Sequence, residues 1–373
     1  MQAKNQIEKA QIVISRQQRD PRWDAFVASN PAGQYEQTSA WAQAKSIEGW
    51  HPLRIFLLSS RMFYGGAQIL YKKIPLTGKV AYLSKGPVFA PSSSPEIIQR
   101  FIGELNRLMR REHILYLFVQ PPDSACHLEA WFQKAGSRAG FTEIAYTANS
   151  RIDLRADLKE IFTNMKRSNR RSIRRCEHEG VKFREGTRED ISLFFGLMLE
   201  SCRRQGTAPN PASEDFFRVL WDNLESSGGK LKLFFAEYKD TVFSGGMIIG
   251  FGNNAWTWKI GWSGHWPEIR PTQAMIWESI KWAKNADYRF YNFVGISRET
   301  AEGLLHGRPL NDVAKARDYY KLMFSGQVYL LPRGHIYCLN RPLAWIYEGF
   351  MSRVVARKRL RPLLNRIMKF IRN

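Results

Sequence analysis

The chain has 373 residues, of which 44% are hydrophobic and 13% aromatic, so it can build two domains with their own cores and is not a disordered protein. Its formal net charge of +22 favours polyanionic partners, either nucleic acid or an anionic membrane surface. The four cysteines form no CxxC, the N-terminus has no apolar signal core, and no apolar run reaches the roughly 18 residues of a membrane span. We therefore expect a cytoplasmic protein, attached to a membrane at most peripherally.

The first half of the chain reads as mixed α/β. Ser39 predicts the cap of a short helix, Ser39–Ser46, and Pro95 opens a longer helix with apolar residues at helical spacing. A further helix is predicted from Leu128 to Ala139. The predicted strands are Leu53–Leu58, Ala67–Tyr71, Val80–Leu83 and Ile114–Val119.

The second half repeats this order of elements. A long helix is predicted over Leu158–Glu177, and a later helix opens at Pro271. The predicted strands are the hairpin Leu231–Tyr238 and Thr241–Phe251, then Ala255–Trp262 and Phe290–Val294.

Two local matches indicate a duplication. Phe63-Tyr64-Gly65-Gly66 is similar to Phe243-Ser244-Gly245-Gly246, and Leu115–Val119 is similar to Phe290–Val294, in the same order and at nearly the same offset. The glycine pairs predict a bulge or a close approach to the backbone. A strand hairpin, a helix and a strand in this order are typical of an N-acyltransferase (GNAT-like) core. We therefore predict an α/β chain with two tandem GNAT-like domains, whose mixed sheets are flanked by helices, at residues 1–150 and 151–338.

Six cations share one face of the predicted helix Leu158–Glu177. They form two neighbouring stripes at i,i+4 spacing, Lys166, Arg170 and Arg174 beside Arg167, Arg171 and Arg175. Each like-charge pair costs a few tenths of a kcal/mol, and a phosphate backbone would relieve the repulsion. The face is interpreted as a nucleic-acid contact, with a solvated basic face as the alternative.

The last segment, residues 339–373, is also basic and amphipathic. Such a helix suits an anionic membrane surface, to which each Lys or Arg contributes on the order of 1 kcal/mol. Packing of this segment back onto the domain is the alternative.

Several mechanisms lack their motifs. The histidines show no paired ligand spacing, and there is no GxSxG elbow and no Walker-type loop, so we expect no metal and no cofactor. The turn Arg270-Pro271-Thr272-Gln273-Ala274 lacks the glycines that cradle the pyrophosphate of an acyl-CoA, which counts against acyl-CoA chemistry without excluding it.

Six short stretches then carry a family resemblance, and only their joint order is specific. They are Gln37–Lys45, Tyr82–Pro87, Ile152–Leu154, Ser201–Gly206, Tyr291–Gly295 and Tyr319–Phe324. Over about residues 34 to 332, the chain resembles the Fem (FemA/FemB/FemX) family of aminoacyl-tRNA-dependent peptidyltransferases, which are tandem GNAT-like proteins. The chain has no room for the long coiled-coil arm of FemA and FemB, so it resembles the arm-less FemX type more closely.

The resemblance also implies roles for individual residues. Lys321, with Tyr320 beside it, would be catalytic, and Lys321 would stabilise the oxyanion. Substrate binding would fall to Trp41, Lys45, Lys85 and Arg204, with Lys45 and Arg204 on the phosphates of the acceptor and Arg203 as the substitute for Arg204. By the same resemblance, the basic face of Lys166–Arg175 would contact tRNA.

Two residues depart from the family pattern. Gln120 stands where the family commonly has an Asp before Pro121, so any acid/base role of that Asp is absent. Tyr320 replaces a Phe.

The function implied by the resemblance is transfer of an amino acid from aminoacyl-tRNA to an amine of a peptidoglycan precursor, soluble or lipid-linked, by a monomer. One alternative is an aminoacyl-tRNA-dependent or acyl-CoA-dependent N-acyltransferase acting on another peptide or metabolite. Another is a non-catalytic RNA-binding protein that uses the basic helix and exposed aromatic residues.

Overall fold

The computed structural model describes residues 10–59, 62–74, 78–139, 147–313 and 318–338. The chain divides into two units, Met1–Ala145 with Pro332–Asn373, and Tyr146–Leu331. The basic segment 339–373 lies outside the described residues.

The strands of the two units follow one another along the chain. The first unit contains β1 (Gln11–Ser15), β2 (His51–Ser59), β3 (Met62–Ile74), β4 (Gly78–Ser84), β5 (Val88–Phe89), β6 (Ile114–Gln120) and β7 (Arg138–Ala139). The second contains β8 (Ala148–Asp153), β9 (Lys182–Gly186), β10 (Gly229–Tyr238), β11 (Thr241–Phe251), β12 (Asn254–Trp262), β13 (Phe290–Ile296) and β14 (Gln327–Leu330). The chain then returns to the first unit as β15 (His335–Cys338).

The helices lie between these strands. The first unit has α1 (Pro21–Ser29), α2 (Ser39–Ser46), α3 (Pro95–Arg111) and α4 (Leu128–Lys134). The second has α5 (Leu158–Asn164), α6 (Arg167–His178), α7 (Ile191–Arg204), α8 (Glu214–Leu224), α9 (Pro271–Asn285), α10 (Arg298–Leu305) and α11 (Tyr319–Leu322). Short 3₁₀ turns are present at Tyr35–Gln37, Glu225–Ser227 and Leu310–Val313.

Within the described residues, the two sheets share the same order of parallel and antiparallel neighbours, although β15 joins the first sheet from the far end of the chain and its counterpart β8 opens the second unit. The first runs β1-β2-β3-β4-β6-β15-β7 with β5 on β3, and the second runs β9-β10-β11-β12-β13-β8-β14. In each, a single parallel pair, β4 with β6 or β12 with β13, interrupts otherwise antiparallel neighbours. The predicted α/β class, with two mixed sheets flanked by helices, is confirmed.

The paired glycines mark the same position in both sheets, on β3 and β11. A Cβ built on Gly66 would lie 2.7 Å from Cζ3 of Trp23, and one on Gly246 would lie 2.5 Å from Sδ of Met275. The register of β2 with β3 also shifts at Leu57/Leu58, next to the first pair. Both predicted reasons for these glycines, a close approach and a bulge, therefore apply.

Most predicted strands are longer in the structure, and four other predictions differ from it in ways that specific contacts explain. Thr38, not Ser39, caps α2, because its side chain accepts the N–H of Trp41. The helix from Leu128 ends at Lys134 instead of Ala139. The long helix Leu158–Glu177 is two helices, since Met165 is extended (ψ 151°) and the N–H of Lys166 donates to the carbonyl of Met323 (3.0 Å). Residues 335–338 lie in the first sheet, where β15 pairs with β6, whereas the sequence assigned residues through 338 to the second domain.

Each sheet is covered by amphipathic helices. The five apolar residues predicted on the helix opened by Pro95 are all buried, namely Ile98, Phe101, Ile102, Leu105 and Leu108. Within the described residues, no helix has the length and apolarity required to cross a membrane.

Candidate active site

Lys321 is held at the carboxyl end of β13. Its Nζ donates to the carbonyl oxygens of Val294 (2.6 Å) and Gly295 (2.8 Å), and the half-buried side chain lies 5.7 Å from the ring centre of Tyr320. Gly295 has a positive φ of 78°, and its N–H donates to Oδ1 of Asn149. The bent end of β13 therefore fixes the position of a positive charge.

Arg204 is anchored at the end of α7. Its guanidinium carbon lies 4.8 Å from the ring centre of Trp262, and Nη2 donates to the carbonyl of Trp262 and to Oγ of Ser201. Arg203 is exposed. Because Trp262 ends β12, which pairs in parallel with β13, Arg204 and Lys321 lie at the same carboxyl edge of the second sheet.

In the first unit, Trp41 and Lys45 lie on α2. The Nζ of Lys45 is 2.6 Å from Oε2 of Glu48 and 5.7 Å from the ring centre of Trp41. Side-chain exposure is only 12% for Lys45 and 6% for Glu48, so this ion pair is shielded from water. An anionic ligand of Lys45 would have to compete with Glu48.

Lys85 follows β4 in a left-handed conformation (φ 54°) and is buried. Its Nζ lies 2.5 Å from Oδ1 of Asp123, which follows β6. Since β4 and β6 are parallel, this ion pair marks the carboxyl edge of the first sheet, the edge that carries ligands in open α/β sheets.

Glu36 and Asp123 were not singled out from the sequence. Oε2 of Glu36 is fully buried and has no hydrogen-bond partner among the described residues, although the residue as a whole is partly exposed. Burial raises the pKa of Glu36 to about 7, against the attraction of Lys85, while Asp123 adds to the increase. The only sequence signal was an Asp close after the end of β6, three positions beyond Gln120.

The six basic residues predicted to contact tRNA are the N-cap of α6 and five arginines of that helix. Lys166 is the N-cap, Arg170 is half-buried, and the other four arginines are exposed. Asn169, Ser172, Ile173 and Cys176 form the opposite, buried side.

Four of these side chains line a shallow depression of about 260 Å³, and the lining contains no acidic residue. They are Arg167, Arg170, Arg171 and Arg174. Arg170 also donates to the carbonyl of Thr163, and the guanidinium of Arg174 lies 5.4 Å from the ring centre of Phe162. Cations in the first turn of α6 repel one another and also repel the positive end of the helix dipole. A bound anion would relieve both repulsions.

The structure brings part of the predicted set together. Arg204 and Lys321 share one sheet edge, and the hydrogen bond from Lys166 to Met323 joins the start of α6 to the segment that follows Lys321. Trp41, Lys45 and Lys85 lie in the other unit. Among the described residues, no group of three His, Cys, Asp or Glu side chains is placed to hold a metal ion.

Comparison of the sequence with known proteins gives the same relatives repeatedly. A lipid II:glycine glycyltransferase of Staphylococcus aureus is 25% identical over 331 residues, which cover 84% of this chain and 77% of that protein. One of Staphylococcus epidermidis is 28% identical over 218 residues, which cover 55% of this chain and 51% of that protein. The chain thus spans about half the length of the Staphylococcus epidermidis relative in that match.

Solved structures share the fold. The crystal structure of FemX superposes with a TM-score of 0.72 at 18% identity, covering 90% of this chain and 99% of that chain. A tandem GNAT protein from the clavulanic acid biosynthesis pathway superposes with a TM-score of 0.55 at 9% identity, covering 89% and 99%.

The sequence also matches a family model. The model of the FemAB family covers residues 19–239, which is more than half of the chain and includes the junction between the two units. The chain therefore belongs to the FemAB family.

Proposed function

We propose that the chain transfers an amino acid from an aminoacyl-tRNA to an amine on the stem peptide of a lipid-linked peptidoglycan precursor. The observation that carries this proposal is the fixed ammonium of Lys321 at the carboxyl edge of the second sheet, the same edge at which Trp262 anchors Arg204. The relatives named for lipid II and glycine support a lipid-linked acceptor and an aminoacyl donor.

The reaction needs alignment more than a strong nucleophile, because an aminoacyl ester is already activated. The amine nitrogen attacks the ester carbonyl carbon, the new C–N bond forms, and the C–O bond to the ribose breaks. The amine loses one proton and the ribose oxygen gains one. Lys321 stabilises the negative oxygen of the tetrahedral intermediate, since the carbonyls of Val294 and Gly295 fix its charge before the reaction begins.

We assign recognition of the acceptor to Arg204 in the second unit, and Trp41, Lys45 and Lys85 in the first unit are candidates for that role taken by themselves. Arg204 is the best diphosphate ligand of these, because its planar fork is exposed and already oriented by the Trp262 ring. Asp123 and Glu48 compensate the charges of Lys85 and Lys45, so these two lysines are better suited to orienting polar groups than to binding a free anion.

The arginine depression of α6 is assigned to tRNA phosphates. It gathers four cations with no acidic residue in its lining, beside a helix N-terminus. Contacts between arginines and phosphates depend little on nucleotide sequence, which suits a protein that positions a tRNA donor through the sugar–phosphate backbone of the RNA.

An acyl-CoA donor fits less well. The helices at the position where GNAT proteins bind pyrophosphate, α3 and α9, both begin with proline. Pro271 removes one of the N–H groups that would face a phosphate.

A donor comparison tests the proposal. The protein is incubated with a lipid II acceptor and either a pool of aminoacyl-tRNA or an acyl-CoA, and the acceptor is treated with mild base, which cleaves esters and leaves amides. A base-stable product with the tRNA pool alone is expected. A product with acyl-CoA alone, or RNA binding with no product from either donor, would contradict it.

A further inference from the structure

A second pocket in the same unit lies at the other end of β13. It has a volume of about 430 Å³ and sits where β13 starts at Phe290, beside the end of β8. Its lining includes Arg151, Arg289, Phe290, Asn164, Phe324 and Gln327. Nothing in the catalytic proposal uses it.

Two arginines flank one aromatic ring in this pocket. The guanidinium carbons of Arg151 and Arg289 lie 4.6 Å and 5.0 Å from the ring centre of Phe290, and that of Arg151 also lies 5.0 Å from the ring centre of Tyr329. Stacked guanidiniums and aromatic rings are surfaces on which nucleobases stack.

The charges in the pocket favour an anion. Asp153 is bound by Arg155 (Nη2 to Oδ2, 2.5 Å), and within the described ranges neither Arg151 nor Arg289 forms an ion pair. Glu160 is the other acidic residue in the lining, and Arg289 also helps to lower the pKa of Asp153. Three guanidiniums therefore face two carboxylates, which leaves the lining with a net positive charge.

The pocket and the arginine depression of α6 share no lining residue, but neighbouring parts of the chain line them. Asn164 lines the pocket, and α6 begins three residues later at Arg167. On the other side, Phe324 and Ser325 line the pocket directly after Met323, whose carbonyl accepts the N–H of Lys166.

The pocket is also within reach of the proposed reaction centre. Val294, whose carbonyl holds Lys321, lies four residues beyond Phe290, roughly 13 Å along a strand that rises about 3.3 Å per residue. The aminoacylated 3′ end of a tRNA is single-stranded, and single-stranded bases are free to stack on protein side chains.

We propose that this pocket binds a nucleotide of the single-stranded 3′ end of the donor RNA, with its base against Phe290 and Arg151 and its phosphate on Arg289. The inference rests on the proposed aminoacyl-tRNA donor and adds a specific contact to the non-specific one made by α6.

The probe is an RNA stem-loop with a short single-stranded 3′ tail, compared with the same stem-loop with a blunt end. Arg289→Glu is the main variant, because Arg289 is exposed and its replacement leaves the core untouched. Arg151→Gln is the second. Arg188→Glu is the charge-matched control, since Arg188 is a surface residue of the same unit paired with Asp222.

We expect Arg289→Glu to weaken binding of the tailed probe about tenfold more than binding of the blunt probe, with a smaller selective loss for Arg151→Gln. Arg188→Glu should affect both probes equally. The log–log salt slope for the tailed probe should fall by about 0.7 for the lost phosphate contact.

Equal losses on tailed and blunt probes for Arg289→Glu would overturn the inference. The inference would also be overturned if Arg289→Glu lost binding to phosphatidylglycerol vesicles and kept full RNA binding. If the wild-type protein transfers an amino acid from aminoacyl-tRNA and the Arg289→Glu variant has the same KM for that donor, the pocket does not bind the donor. The proposed function would then still stand. A wild-type protein that forms no product from aminoacyl-tRNA removes the proposed function itself.

Discussion

Lys321 combines two tasks that a mutation can separate. Its ammonium holds the end of β13 through the carbonyls of Val294 and Gly295, and in our proposal it faces the developing oxyanion. A purely structural role would appear in stability, whereas a role in the transition state would appear in kcat.

Lys321→Ala should lower kcat by about 10²–10³ with little change in either KM, because one oxyanion donor is typically responsible for that factor. Steady-state kinetics with separately varied donor and acceptor measure the effect. Lys321→Arg should rescue poorly, since a planar fork does not replace a compact ammonium. Tyr320→Phe is the control and should keep most of the activity. A rate for Lys321→Ala within about threefold of wild type would remove the residue from the mechanism.

Glu36 should make stability depend on pH. Its pKa is raised to about 7 in the folded protein, so the folded state retains a proton that the unfolded state loses above its ordinary value of 4.5. The free energy of unfolding should therefore fall as pH rises from about 4.5 to 7, and level off above.

Glu36→Gln should remove this dependence. We expect the variant to match wild type near pH 4.5 and to exceed it by about 1–3 kcal/mol at pH 8, because the amide needs no ionisation. Urea denaturation of both proteins across this range gives the difference directly. A difference that stays constant with pH would show that the carboxyl does not titrate in this way.

At the scale of elements, α6 acts as one electrostatic unit. Replacing Arg167, Arg171 and Arg174 together with Gln should flatten the log–log salt dependence of tRNA binding by about two to three units, at roughly 0.7–0.9 per phosphate contact. The matched control replaces Arg188, Arg218 and Lys232, each of which is paired with an acidic residue elsewhere in the same unit. An unchanged slope in the α6 variant would move the tRNA contact away from this helix.

The strand β15 should be required by the first unit. Truncation after Leu331 removes the buried residues His335, Ile336 and Tyr337 from the sheet and exposes the edge of β6, so the first unit should lose stability. Truncation after Cys338 is the control. It keeps the strand, removes the basic segment, and should reduce binding to anionic vesicles while activity on a soluble acceptor persists. Thermal denaturation that shows no difference between the two truncations would contradict the role of β15.

Local sequence patterns predicted the helices and strands well, but they did not predict which distant segments contact each other. The hairpin at Lys239-Asp240 follows from the turn itself, in which both residues have positive φ. The break at Met165 depends on a hydrogen bond to Met323, and β15 pairs with a strand more than 200 positions earlier. Lys85 and Asp123 meet through the parallel pairing of β4 with β6, and Gln37, the neighbour of Glu36, donates to the carbonyl of Ser84 at the end of β4. No local sequence pattern reports either contact.

At the scale of the whole chain, duplication explains why two matched motifs indicated so much. Once the Phe-x-Gly-Gly strand is assigned twice, the antiparallel hairpin to which it belongs and the parallel pair that follows can be placed in both sheets. Membership in the Fem group was likewise predicted from the joint order of weak motifs and is confirmed by the family match. The residue roles remain proposals, because fold alone does not determine chemistry.

Transfer onto the precursor can be measured as the intact mass of a lipid-linked precursor after incubation with the protein and charged tRNA. We expect a mass gain of one amino acid residue, which is lost when the tRNA is deacylated beforehand and strongly reduced with Lys321→Ala. An unchanged precursor mass with every charged tRNA in the pool, from a protein that still binds tRNA, would contradict it.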